Sequence, residues 1–116
     1  MAQAPIDVKK LKRTKLPSER MPLESDIESA VCRYARANNV LAYKFTSPGH
    51  RSVPDRIFIF PSGKVVFIEF KRPGNRPTEA QVGEIKKLRD KLQQVYWTDN
   101  VESGKGIIDW YLGRHA

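Results

Sequence analysis

Apolar positions along the chain fall into short runs and helical stripes, and their periods predict the elements. From Ser25 to Ala37, the residues Ile27, Val31 and Tyr34 recur at i, i+4 and i+7, one face of a helix. Ser25 followed by Glu28 reads as a capping box at its start, and Asn38-Asn39 ends it. Val40-Leu41-Ala42-Tyr43-Lys44-Phe45 then reads as a short strand, and the Pro- and Gly-containing stretch 46–54 as a loop. Ile57-Phe58-Ile59-Phe60, the turn Pro61-Ser62-Gly63-Lys64 and the run from Val65 to Lys71 make a hairpin of two further strands.

Arg72-Pro73-Gly74-Asn75-Arg76-Pro77 cannot continue that strand. Thr78, with Gln81 three residues on, predicts a second capped helix whose face is Gln81, Ile85, Leu88 and Leu92. Val95-Tyr96-Trp97 reads as a last short strand and Gly106 to Leu112 as a short last helix. The order helix, three strands, helix, strand, helix predicts a mixed α/β sandwich around a small sheet.

Composition narrows the class. A chain of 116 residues with 40% hydrophobic and 29% charged side chains has room for one globular domain, not two. Cys32 stands alone, so neither an intrachain disulfide nor a Cys/His zinc pattern is possible. No apolar run approaches a membrane span, and the first residues lack the apolar stretch of a signal peptide. The expectation is a cytoplasmic protein with no membrane partner.

Charge points to a partner. Twenty-one Lys and Arg against thirteen Asp and Glu leave +8, and such an excess attracts polyanions, of which nucleic acid is the usual one. Lys9, Lys10, Lys12, Arg13, Lys15 and Arg20, against Asp7 and Glu19, put half of that excess in the first twenty residues. Residues 1–22, broken by Pro5, Pro17 and Pro22, therefore read as a basic arm, either frayed or ordered on a partner, and 23–116 as the domain.

The third predicted strand carries the chemistry. Side chains alternate across a strand, so Glu69 and Lys71 share one face and Ile68 and Phe70 the other. In the hairpin the start of the second strand lies beside the end of the third, which brings Asp55 to Glu69 and Lys71. Two carboxylates there suit a hard divalent cation such as Mg²⁺, which would bind a phosphate oxygen and acidify a water. Lys71 could orient or deprotonate that water, or stabilise charge on the phosphate. The plainer alternative for the group is a solvent-face ion pair worth ~0–1 kcal/mol.

Pro54-Asp55 followed by Glu69-Phe70-Lys71 resembles the PD-(D/E)XK signature of metal-dependent nucleases. Five blocks in order resemble its VRR-NUC family, the virus-type replication-repair nuclease modules. They are Glu24-Ser25-Asp26-Ile27-Glu28, Tyr43 to Gly49, Val53-Pro54-Asp55-Arg56, Glu69 to Gly74, and Thr78-Glu79-Ala80-Gln81. The resemblance spans roughly residues 24–100 and implies a restriction-endonuclease-like core of helix, three-stranded meander, helix and strand.

It further implies Mg²⁺- or Mn²⁺-dependent hydrolysis of DNA phosphodiesters, with Asp55, Glu69 and the Phe70 carbonyl as metal ligands and Lys71 as the catalytic lysine. Small stand-alone members, often from phages, resemble Holliday-junction resolvases, which are homodimers. The family carries a glutamate on the first helix, where Glu24 and Glu28 compete; Glu28 is preferred because it borders the packed face and follows Ile27. A glutamine beside the active site corresponds to Gln81, whose other role is the cap with Thr78.

Lys44, His50 and Arg51 are candidate phosphate contacts, individually weak. Trp97, Trp110 and Tyr111 read as core or interface rather than base-stacking platforms, and Cys32 as no nucleophile. The leading expectation is a structure-selective DNA endonuclease acting on branched DNA such as Holliday junctions or flaps. A non-catalytic DNA-binding or assembly module of the same fold is the alternative; an RNA-binding module is a third, but no exposed aromatic motif supports it.

Overall fold

The computed structural model describes residues 21–114. The arm expected over 1–22 lies almost wholly outside the described residues. The elements are α1 (Glu24–Ala37), β1 (Leu41–Lys44), β2 (Arg56–Ile59), β3 (Val65–Phe70), α2 (Glu79–Asp90), β4 (Gln94–Thr98) and α3 (Val101–Tyr111). The sheet order is β1-β2-β3-β4. β1–β2 and β2–β3 pair antiparallel, and β3–β4 pairs parallel through the α2 crossover. This is the predicted mixed α/β architecture, with every expected element present.

Three local expectations change. The α1 cap is not Ser25 with Glu28: the helix starts one residue earlier, where the Asp26 carboxylate accepts from Leu23 N at 2.9 Å. That places Asp26 at the third helical position and leaves Glu28 to turn inward. Leu92 is not on the α2 face. The helix ends at Asp90, and Leu92 takes a left-handed conformation (φ 65°), 85% exposed, while Leu92 N donates to Arg89 O at 2.9 Å and Gln93 N to Leu88 O at 3.0 Å. A tight reversal into β4 thus overrides the apolar period.

The last helix starts at Val101 instead of Gly106, capped by the Asn100 side chain, which accepts from Ser103 N at 2.7 Å. Two glycines, each costing about 1 kcal/mol in a helix interior, hide this start from a propensity reading. Gly104 is required by packing: a Cβ there would lie 2.5 Å from Val31 Cγ2 of α1.

Strand alternation gives the sheet two different faces. Ala42, Phe58, Val66, Ile68 and Phe70 pack with Ile27, Val31 and Ala35 of α1 and Ile108 of α3 into one closed core. On the opposite face Phe67, Val95 and Ile85 of α2 form a smaller cluster, rimmed by Phe45, Ile57, Val65 and Leu88. Among the described residues no helix is long and apolar enough to cross a membrane.

Candidate active site

The α2 face is best followed as rows across the sheet. Tyr43, Ile57, Phe67 and Val95 are register partners in turn; Ile57, Phe67 and Val95 pack with Ile85 of α2, and Tyr43 at the β1 edge is exposed. One step toward the C-terminal end of β3 the register continues through Phe45, whose N–H donates to Asp55 O at 2.9 Å, to Asp55, Glu69 and Trp97. Lys71 follows one step beyond Glu69 on the same face. The antiparallel hairpin therefore juxtaposes Asp55, Glu69 and Lys71 as their sequence spacing predicts.

Each group is held by backbone or by a committed partner. Asp55 Oδ2 accepts from Phe70 N at 2.8 Å, so a side chain takes the place of a strand carbonyl. In an extended strand the N–H and C=O of one residue point to the same edge, so the Phe70 carbonyl leaves β3 on the Asp55 side. Lys71 N donates to Thr98 O at 2.9 Å, which keeps Lys71 aligned past the end of β3. Lys71 Nζ lies 3.4 Å from Glu69 Oε2 and its side chain is largely buried.

Gln81 caps α2 and also reaches Glu69. Its backbone N–H donates to Thr78 Oγ1 at 3.2 Å, and its Oε1 accepts from Thr78 N at 2.9 Å, the reciprocal capping box. That bond fixes which end of the amide is free, and Nε2 donates to Glu69 Oε2 at 2.7 Å. The N-terminus of α2 thereby clamps one oxygen of Glu69.

The other oxygen, Glu69 Oε1, is buried without a hydrogen-bond partner. An orphaned carboxylate oxygen at 2% residue exposure is costly unless a cation meets it. Burial first, and then the charge of Asp55, push the Glu69 carboxyl up to about 7. Asp55 is raised by burial against the opposing pull of the Phe70 N–H. Among the described residues no three His, Cys, Asp or Glu side chains converge. The donor set on offer is thus two carboxylates and a backbone oxygen, all hard ligands suited to Mg²⁺ or Mn²⁺.

The two α1 glutamates lie in different company. Glu28, 9% exposed, accepts from Arg56 Nε at 2.5 Å and lies 3.6 Å from Lys44 Nζ. Glu24 is raised by partial burial and by Asp55 and lowered by Lys71, so it stands in the field of the carboxylate pair. Beside Asp55 a cavity of about 400 Å³ is lined by Lys44, Thr46, His50, Arg51 and neighbours. His50 and Arg51 are exposed, with His50 Nδ1 3.5 Å from Ser47 Oγ.

Sequence reasoning placed the tryptophans in the core or an interface. Neither is a core residue: Trp97 is 37% and Trp110 is 56% exposed, while Tyr111 packs against the core. Arg56 was missed as the partner of Glu28; a cation directly after Asp55 was its only signal.

Comparison with known proteins agrees with the fold. The chain is 44% identical over 81 residues, 70% of its length and 87% of the relative's, to "Putative nuclease p44" of Acyrthosiphon pisum secondary endosymbiont phage 1. A solved structure described as "VRR_NUC domain" superposes with a TM-score of 0.70 at 22% identity, covering 76% of this chain and 96% of that one. The chain belongs to the VRR-NUC family. A second structure, "VRR_NUC domain protein", gives a TM-score of 0.66 at 14% identity over 83% of this chain and 93% of its own. At these identities the structures carry the fold alone, and the phage relative is the one related at the level of sequence. No protein-family model matches the chain.

Proposed function

We propose that this VRR-NUC chain is a divalent-metal-dependent DNA endonuclease that cuts branched DNA, such as Holliday junctions or flaps, and works as a homodimer in the cytoplasm of a phage host. The observation that carries the reading is the buried Glu69 carboxylate, with one oxygen clamped by Gln81 and the other orphaned, beside Asp55 and Lys71. A structural ion pair would satisfy both oxygens; a metal ligand keeps one available.

In this reading Asp55, Glu69 and the Phe70 carbonyl hold Mg²⁺ or Mn²⁺, which when bound supplies Lewis-acid stabilisation and an acidified water. Lys71 donates to the attacking water or to the phosphorus oxygens as negative charge grows there, and its ammonium opposes that charge at short range. Water oxygen bonds to phosphorus, the ester oxygen leaves, and the water proton passes to solvent or to the leaving oxygen. Gln81 keeps Glu69 turned so that its second oxygen faces the ligand. Glu28 acts through Arg56 and Lys44, holding two cations beside Asp55. Lys44, His50 and Arg51 contact phosphates flanking the cut, so affinity falls steeply with salt and carries little sequence preference. Two copies would supply the two sites that paired cuts need.

The test is cleavage of a labelled panel of four-way junction, flap, nicked, duplex and single-stranded DNA with Mg²⁺, Mn²⁺ or EDTA. Metal-dependent cutting, strongest on a branched substrate, is expected. Salt-sensitive binding without any cutting would replace this reading with a non-catalytic DNA-binding module. Light scattering at high protein concentration tests the homodimer, and a strict monomer would remove it.

A further inference from the structure

We infer that Trp97 is a stacking platform for one nucleobase beside the cut phosphate, so that the DNA taken by the site has an unpaired nucleotide there. This inference rests on the nuclease reading and narrows its substrate. Trp97 is the register partner of Glu69 on the adjacent strand, and parallel partners lie about 4.8 Å apart with side chains on one face. Val95, two residues earlier on that face, is buried with Phe67 and Ile85 under α2. Trp97, two residues further along β4, is 37% exposed.

More than a third of the Trp97 surface is open to solvent, and none of the aromatic ring pairs among the described residues involves it. Among the described residues β4 is the last strand of the sheet, and no further strand covers its flank. A large, flat, half-open π surface thus sits directly beside the carboxylate whose second oxygen is unpartnered.

The two flanks of the carboxylate pair offer different chemistry. On the β1–β2 side, Lys44, His50 and Arg51 line the cavity that reaches Asp55, a surface for backbone phosphates. On the β4 side, the indole offers a stacking face. A base inside a duplex already has both faces stacked, so only an unpaired or splayed base can use Trp97. Phosphates held on one side and a free base on the other describe a boundary between duplex and single strand.

The experiment compares Trp97→Leu, which keeps apolar bulk, and Trp97→Phe, which keeps a ring. Substrates are a flap whose unpaired strand begins at the cut and a continuous duplex. One stacked base corresponds to roughly 5- to 150-fold in binding. Trp97→Leu is expected to lose about that much kcat/KM on the flap, chiefly through KM, with the duplex rate unchanged and Trp97→Phe largely restored. Independently of cleavage, Trp97 emission in a Trp110→Phe background is expected to be quenched by a single-stranded oligonucleotide in EDTA, with binding followed by anisotropy.

Folded Trp97→Leu cutting the flap at the wild-type rate would overturn the inference, as would unchanged emission at saturating DNA. If Trp97→Leu does not fold, the emission measurement decides. Quenching of Trp97 in the Trp110→Phe protein, with wild type cutting nothing with either metal, would keep the stacking site and remove the nuclease reading.

Discussion

The two faces of one sheet have opposite designs. Toward α1 and α3, every inward position of β3 is apolar: Val66, Ile68 and Phe70 are fully buried, and helices cover them from end to end. Toward α2, the same strand runs from Val65 and Phe67, packed under the helix, to Glu69 and then Lys71. The first face makes the fold and the second is split between packing and chemistry. A strand can hold polar groups rigidly in this way because its alternate residues anchor it in a closed core. Rigid support is what a preorganised electrostatic site requires.

The sharpest way to break the comparison is to remove chemistry without touching the core. Lys71→Ala is expected to lower cleavage about 10²–10⁴-fold, the usual span for a group acting in proton or charge transfer, with the thermal midpoint near wild type. A cleavage assay beside a melt checks this; a matched loss of folding would make Lys71 structural.

The converse change belongs to the closed face. Phe58→Ala is expected to cost about 3–5 kcal/mol of stability, read from urea midpoints, with activity per folded molecule retained. Gly104→Ala sharpens the same point. The added Cβ would meet Val31 at 2.5 Å, and overpacking of this kind costs about 1–3 kcal/mol.

The smallest effect separates the faces by pH. The Glu69 carboxyl in the metal-free protein is pushed up to about 7, chiefly by burial and next by Asp55. A folded-state value above the unfolded one means that the folded protein holds a proton the unfolded chain has released. Its stabilising contribution is complete below about pH 4, the ordinary carboxylate range, and is lost as pH rises through about 7. In EDTA, therefore, stability falls between pH 5 and 8. Glu69→Gln flattens that fall and is the more stable form at pH 8. A wild-type profile level over this range would contradict the raised carboxyl.

Most of the fold was legible because its signals are local. Period-two runs marked β2 and β3, the turn at Gly63 joined them, and hairpin geometry alone carried Asp55 to Glu69. What was hidden depended on partners distant in sequence. The start of α3 was masked by Gly104, a residue whose reason is the approach of Val31. The end of α2 was overrun because Leu92 continues the apolar period while its backbone turns back. The orientation of Glu28 followed from Arg56, a contact that capping rules do not contain. The place of Trp97 beside Glu69 was hidden for the same reason: it comes from the parallel β3–β4 register, which no strand shows by itself. For Gln81, the cap was legible locally and the clamp on Glu69 followed only from the resemblance.

The central claim is that the polar half of the α2 face is a nuclease centre, and Glu69→Gln tests it most directly. Cleavage of a labelled flap with Mg²⁺ or Mn²⁺ would be measured for wild type and variant, with DNA binding by anisotropy and melting on the same samples. The account predicts a folded variant that binds the flap as wild type does and does not cut it. A folded, DNA-bound Glu69→Gln that cuts at the wild-type rate would contradict it.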